Sequence, residues 1–108
     1  STIIGTVCLH NIIKMPYFTS EVGYKFDASY QHHGYAREAL SMALSVGFYG
    51  LGLHKIFARC MPENTPSRNL LHATGCFEEG IERDSILIQG KWEDHIRYAI
   101  LNPDEIHS

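Results

Sequence analysis

Tyr30-Gln31-His32-His33-Gly34-Tyr35-Ala36-Arg37-Glu38-Ala39-Leu40 joins a strand pattern to an amphipathic helix through one glycine-bearing turn. Ahead of it, Glu21-Val22-Gly23-Tyr24-Lys25-Phe26-Asp27 predicts a strand. Behind it, Ala36, Ala39, Leu40, Ala43 and Leu44 recur at the i, i+3, i+4, i+7, i+8 spacing of a single apolar helix face. Gly34 lets the backbone come close to a ligand, and the first free N–H groups of the helix, at the positive end of its dipole, face the same spot. A phosphate is the expected occupant; a tight connection with no ligand is the other reading of such a turn.

Composition narrows the classes. The 108 residues suit one small domain, and 44% hydrophobic with 19% charged residues mark a folded chain. A formal net charge of -3 argues against nucleic acid as a partner, which normally calls for a basic excess. No run approaches the ~18 apolar residues of a membrane span and no signal-peptide pattern opens the chain, so the expectation is a soluble cytoplasmic protein with no membrane partner. Cys8, Cys60 and Cys76 form no Cys-x-x-Cys pair and are odd in number, which predicts buried free thiols and no disulfide framework. His32-His33 are adjacent but lack further ligands at suitable spacing, so no metal site is expected.

Along the chain, β-branched residues from Thr2 to Ile13 predict a first strand, ended by Lys14-Met15-Pro16, and Glu21 to Asp27 a second. A helix is expected from about Tyr35 to Tyr49, closed by Gly50-Leu51-Gly52, and then a strand from His54 to Met61. Thr65 is the expected N-cap of a second helix with Pro66 at its first position, Leu70, Leu71 and Ala73 as its apolar content and Gly75 at its close. Cys76 to Ile81 and Ile86 to Ile88 are strand-like, Gln89-Gly90 is a turn, and Trp92 to Leu101 is the last strand, with Trp92, Asp94, Ile96, Tyr98 and Ile100 on one face. The order β-β-α-β-α-β-β predicts an α/β (α+β) fold with a mixed, mostly antiparallel sheet.

The order Gln31-x-x-Gly34-x-Ala36 at the head of a helix resembles the pyrophosphate-binding signature of the GCN5-related N-acetyltransferase (GNAT) superfamily. It lacks the Gly-x-Gly-x-x-Gly of a dinucleotide fold and the Gly-Lys-Ser/Thr of a P-loop. Other blocks are similar to the branch that acetylates ribosomal-protein N-termini at alanine or serine. They are Glu21-Val22-Gly23-Tyr24, Leu51-Gly52-Leu53-His54-Lys55-Ile56, Pro62-Glu63-Asn64-Thr65-x-Ser67, Gly75-Cys76-Phe77 and Gly90-Lys91-Trp92-x-Asp94-His95, in that branch's order.

The resemblance implies acetyl-CoA as donor, a primary amine as acceptor and no metal. It also implies two neighbouring strands that splay, so that unpaired backbone groups of one pair with the amides of pantetheine as a short extra strand would. Carried over, Tyr24, Lys25 and Phe26 supply those backbone contacts, while Gln31, His32, His33, Gly34, Tyr35 and Ala36 wrap the pyrophosphate. Asn64 reaches the pantetheine arm and Ser67 lies near the thiol, although both residue types also serve at helix starts. Glu21, just before the splay, is the candidate base for the attacking amine; the alternative is a strand-end carboxylate in solvent.

Three departures matter. Leu71 stands where many relatives place a tyrosine that protonates the leaving thiolate, so Ser67 or water must cover that step. His32-His33 replace basic residues, which would weaken cofactor affinity above an imidazole pKa of about 6.5. The family normally begins with a strand, two helices and another strand, so the chain is expected to be the C-terminal, cofactor-binding portion of a single GNAT domain spanning 1–108. An apolar edge strand near its start makes a homodimer expected. A small-molecule amine, a polyamine or an aminoglycoside, is the alternative acceptor, and binding acetyl-CoA without turnover the alternative role.

Overall fold

A computed structural model describes residues 5–26 and 35–103. Its elements are β1 (Gly5–Ile13), β2 (Thr19–Phe26), α1 (Tyr35–Ser45), β3 (Lys55–Cys60), α2 (Thr65–Ala73), β4 (Phe77–Ile88) and β5 (Lys91–Leu101). The sheet order is β1-β2-β3-β5-β4, parallel between β2 and β3 and antiparallel elsewhere, so the expected mixed, mostly antiparallel sheet is present.

One face of the sheet carries the core. Val22, Ile56, Ala58, Cys60, Ile96 and Tyr98 meet Leu40 and Leu44 of α1, Phe48 just beyond it and Leu71 of α2. The helical spacing read from the sequence holds, since Ala36, Leu40 and Leu44 are all buried. The α-helix stops earlier than expected, however, and Val46–Gly50 form a π-helical turn. Packing explains the change of winding: a Cβ on Gly47 would lie 2.6 Å from Ile56 Cδ1, so the backbone there is pressed onto β3. Of the closing glycines, Gly52 takes the left-handed conformation, with φ +69.

Further expectations need correction. The N-cap of α2 is Asn64, not Thr65: its Oδ1 accepts from Ser67 N at 3.2 Å, and Pro66 falls at the second helical position. Ala73 is exposed, leaving Leu71 as the fully buried anchor of α2. As the expected element order has it, the two strand-like pieces after Gly75 form one strand, β4, kept continuous by a register shift between Glu82 and Ile86 in which Asp84 has φ 47. On β5 the expected face is buried only at its centre, by Ile96 and Tyr98, because Trp92 lies beyond the end of the β3 ladder at Ile96 and is 56% exposed. Cys60 and Cys76 are buried free thiols as expected, whereas Cys8 is exposed.

Candidate functional site

The ladder between β2 and β3 is short. It pairs Thr19 with Lys55, Ser20 with Ile56 and Glu21 with Phe57, and among the described residues it goes no further. Both strands continue, β2 to Phe26 against β1 and β3 to Cys60 against β5. A gap therefore opens in the sheet beyond Glu21, at the position the sequence placed it. Alternate backbone groups of β2 on that side are not occupied by a β3 ladder, the arrangement in which an extended ligand can add as a strand.

The core-side wall of the gap is built from three elements. Tyr24 on β2 and Ser67 in the first turn of α2 share a hydrogen bond between their hydroxyls. Cys60, buried at the end of β3, completes the wall. Burial pushes the Tyr24 phenol up to about 12, a rise that the Ser67 hydrogen bond only partly offsets. Burial likewise raises Cys60, so it is a neutral thiol and not a ready nucleophile.

Behind Ser67, Arg68 anchors α2 to the sheet. Its Nε donates to Tyr98 Oη at 3.0 Å, its Nη2 to Glu78 Oε1 at 2.8 Å and its Nη1 to the Pro62 carbonyl at 3.1 Å. Tyr98 Oη donates to the same Glu78 oxygen at 3.0 Å. The Arg68 hydrogen bond, followed by that of Tyr98, holds the Glu78 carboxyl below its ordinary range.

The opposite face of the sheet is a chain of ion pairs. Glu79 joins Lys55 and Arg97, Glu82 joins Arg97 and Arg59, and Arg59 Nη1 reaches Glu21 Oε1 at 2.7 Å. The Arg97 guanidinium lies 3.9 Å from the centroid of the Phe57 ring. Glu79 and Glu82 are both held below the usual carboxylate range, chiefly by hydrogen bonds from Lys55 and Arg59 respectively.

Of the residues singled out in the sequence, Tyr24, Asn64 and Ser67 come together at the gap. Lys25 and Phe26 continue β2 beside it and Tyr35 begins α1, but their side chains are not among those described. Ala36 is buried under the first turn of α1. Gln31, His32, His33 and Gly34 lie outside the described residues. Glu21 stands at the branch point with its carboxylate on Arg59 and on Asn11 Nδ2 at 3.3 Å. It is thus not a strand-end carboxylate free in solvent. The sequence reading missed Cys60, Arg59 and Arg68 as parts of the site. Residue alternation around Phe57 marks the face of Arg59, but nothing local marks the partners of Arg68.

A short parallel ladder that parts beside a capped helix, in this sheet order, defines an acyltransferase architecture, and the comparisons agree. Residues 1–76 match the family model described as the acetyltransferase (GNAT) domain. The chain belongs to this family.

Among curated relatives, the probable N-acetyltransferase YjcK of Bacillus subtilis is 41% identical over 95% of this chain and 57% of its own length. The spermidine N(1)-acetyltransferase of Vibrio cholerae is 35% identical over 67% of this chain and 42% of its own. Among solved structures, the ribosomal-protein-S5-alanine acetyltransferase of Vibrio fischeri superposes with a TM-score of 0.89 at 38% identity, covering 94% of this chain and 55% of that one. RimJ of Mycobacterium smegmatis, solved in complex with CoA-disulfide, gives 0.90 at 33% identity over 99% of this chain and 51% of its own. The chain spans a little over half the length of the first curated relatives it matches.

Among the described residues no group of His, Cys, Asp and Glu could hold a metal ion, and no helix is long and apolar enough to cross a membrane.

Proposed function

We propose that this chain is the cofactor-binding portion of an N-acetyltransferase that moves the acetyl group of acetyl-CoA to a primary amine. The observation that carries the reading is the end of the β2–β3 ladder at Glu21 and Phe57, with Ser67 stationed across the gap. In this reading the backbone of Tyr24, Lys25 and Phe26 pairs with the pantetheine amides. The Asn64 amide, whose Oδ1 is taken by the helix cap, has its nitrogen left to donate to the pantetheine arm. Gln31 to Ala36 wrap the pyrophosphate. Ser67 lies near the sulfur.

The amine attacks the thioester as a neutral nucleophile, so a base must take its proton. Glu21 is placed by the branch point, but its carboxylate is already engaged by Arg59 and Asn11. It therefore serves better to orient the amine, with water carrying the proton to solvent.

The acceptor we favour is a protein N-terminus of the ribosomal type, on the strength of the solved ribosomal-protein-S5-alanine acetyltransferase that matches at 38% identity. A polyamine is the second reading, supported by the spermidine acetyltransferase relative. Thiol release from acetyl-CoA decides between them. Release with a peptide bearing a free N-terminal alanine or serine, and none with spermidine, is the expected result; the reverse selects the polyamine. Calorimetric binding of acetyl-CoA with no release on either acceptor would identify a binding module.

A further inference from the structure

The gap beyond Glu21 has two sides, and they differ. Tyr24 and Ser67 close the core side, where both described helices pack, so an amine approaches from the charged face, past Glu21. Along β2 the next residue on that face is Gly23, which brings no side chain. Its place is taken from β1. His10 pairs with Glu21 and Cys8 with Gly23, and side chains paired across a ladder share one face. The His10 ring leans over Gly23, with Nε2 3.1 Å from where a Cβ on Gly23 would stand, and Cys8 Sγ is 3.8 Å from the same point. Glycine at this position makes the room for the imidazole.

The groups around this spot divide the work. The contacts of the Glu21 carboxylate, from Arg59 at 2.7 Å and from Asn11 at 3.3 Å, both fall on Oε1, which leaves Oε2 to hold an amine. Arg59 has no lone pair to offer, and the sulfur of Cys8 is a weak acceptor. The His10 side chain is exposed and forms no hydrogen bond among the described residues, because the Ser20 hydroxyl bonds its carbonyl instead. The charged and titratable groups facing it are therefore Cys8 on β1, Glu21 on β2 and, through Glu21, Arg59 on β3. Lys25 continues that face of β2, with its side chain outside those described.

We propose that His10 is a catalytic residue, the first acceptor of the proton that the attacking amine gives up on its way to solvent. The inference rests on the reading of the gap as the site of acetyl transfer. Imidazole is the side chain that ordinarily changes charge between pH 5 and 8, so it can take a proton from an amine and release it to water in each cycle. In the step, the neutral amine nitrogen bonds to the thioester carbon while the carbonyl electron pair moves onto oxygen. One N–H proton passes to a ring nitrogen of His10, directly or through one water. The pair on oxygen returns, the carbon–sulfur bond breaks, and its electrons leave with sulfur, which takes a proton from solvent. The imidazolium then loses its proton to water on the exposed side of β1.

The test follows thiol release from acetyl-CoA with a peptide bearing a free N-terminal alanine, or with spermidine if that is the acceptor, and reads kcat/KM for the amine between about pH 5 and 8. In the unaltered chain both the amine and His10 must lose a proton, so log kcat/KM is expected to rise with a limiting slope of two at the acidic end. In His10→Gln only the amine titrates. The slope should fall to one and kcat should drop on the order of 10²-fold. Coenzyme A affinity in calorimetry and the denaturation midpoint should not change, since the ring is exposed and the His10 carbonyl keeps its bond from Ser20. His10→Asn, as a second variant, should behave alike. A slope of one in the unaltered chain, a slope that stays at two in the variants, or a kcat that survives the substitutions overturns the proposal. No turnover by the unaltered chain on either acceptor would instead remove the transferase reading, and this inference with it.

Discussion

The seam between β2 and β3 has two ends, and they are held by different forces. At the paired end, three rows of ladder hydrogen bonds lie over the fully buried Ile56, and the buried Ser20 hydroxyl donates to the His10 carbonyl at 2.7 Å. The Glu21–Arg59 ion pair closes this end on the charged face. At the parted end there is no ladder among the described residues, and side chains from α2 span the opening. Burial and backbone pairing give the first end stability, while the second keeps donors and acceptors that a ligand can use. The comparison teaches where changes should separate stability from binding.

The sharpest break comes from Ile56→Ala at the paired end. Removing a fully buried side chain that packs on the π-helical turn at Gly47 should cost about 2–5 kcal/mol in chemical denaturation, through lost burial and the cavity left behind. Affinity for coenzyme A in the fraction that stays folded should be unchanged. A comparable loss of affinity would show that the two ends are not separable.

Tyr24→Phe probes the parted end through pH. The folded pKa of Tyr24, about 12, lies above its ordinary 10.0, so its contribution is complete below pH 10 and is lost as pH rises toward 12. Over that window the unaltered protein should lose about 2–3 kcal/mol that Tyr24→Phe does not. Parallel alkaline limbs for the two proteins would contradict the burial of this phenol.

Arg59→Met returns to the branch point. It strips the shared guanidinium from Glu21 and Glu82 and should cost about 1–2 kcal/mol near neutral pH. Glu82 is held below its ordinary pKa mainly by Arg59, so the stability it contributes is present above the unfolded value and lost as pH falls through the folded one. The variant should therefore show a shallower acid limb, read by thermal melts across mildly to strongly acidic pH.

The smallest effect is expected at Asn64. Asn64→Ala should cost about 1 kcal/mol for the lost cap, whereas Asn64→Asp keeps an accepting oxygen and should be nearly neutral in stability. Only the nitrogen is lost in the aspartate. A drop in acetyl-CoA affinity for Asn64→Asp at unchanged stability would assign that nitrogen to the pantetheine arm.

Much of this seam could be read before any coordinates. The period of apolar residues along α1, the glycines after it and Pro66 after Asn64 are local signals, and they placed the elements in order. The branch beyond Glu21 came from the resemblance of its neighbours to a family whose strands part there. What escaped depends on contacts distant in sequence. Asn64 and Thr65 are both good caps one residue apart, and only the bond to Ser67 N separates them. The π-helical turn follows from Gly47 pressing on Ile56, a contact that periodicity along one helix does not encode. His95 and Ala99 are buried on the face of β5 opposite Ile96 and Tyr98, which defeats a reading of that strand as one-sided. The link from Arg68 to Tyr98 and Glu78 likewise exists only once α2 is laid beside the sheet.

The parting of β2 from β3 is the claim on which the rest depends, and amide-resolved NMR during a coenzyme A titration tests it most directly. The backbone amides of Tyr24, Lys25, Phe26 and Ser67 should shift, while those of Thr19 and Ser20 stay where they are. Saturable binding that leaves those four amides untouched, or that shifts the paired end instead, would contradict the account.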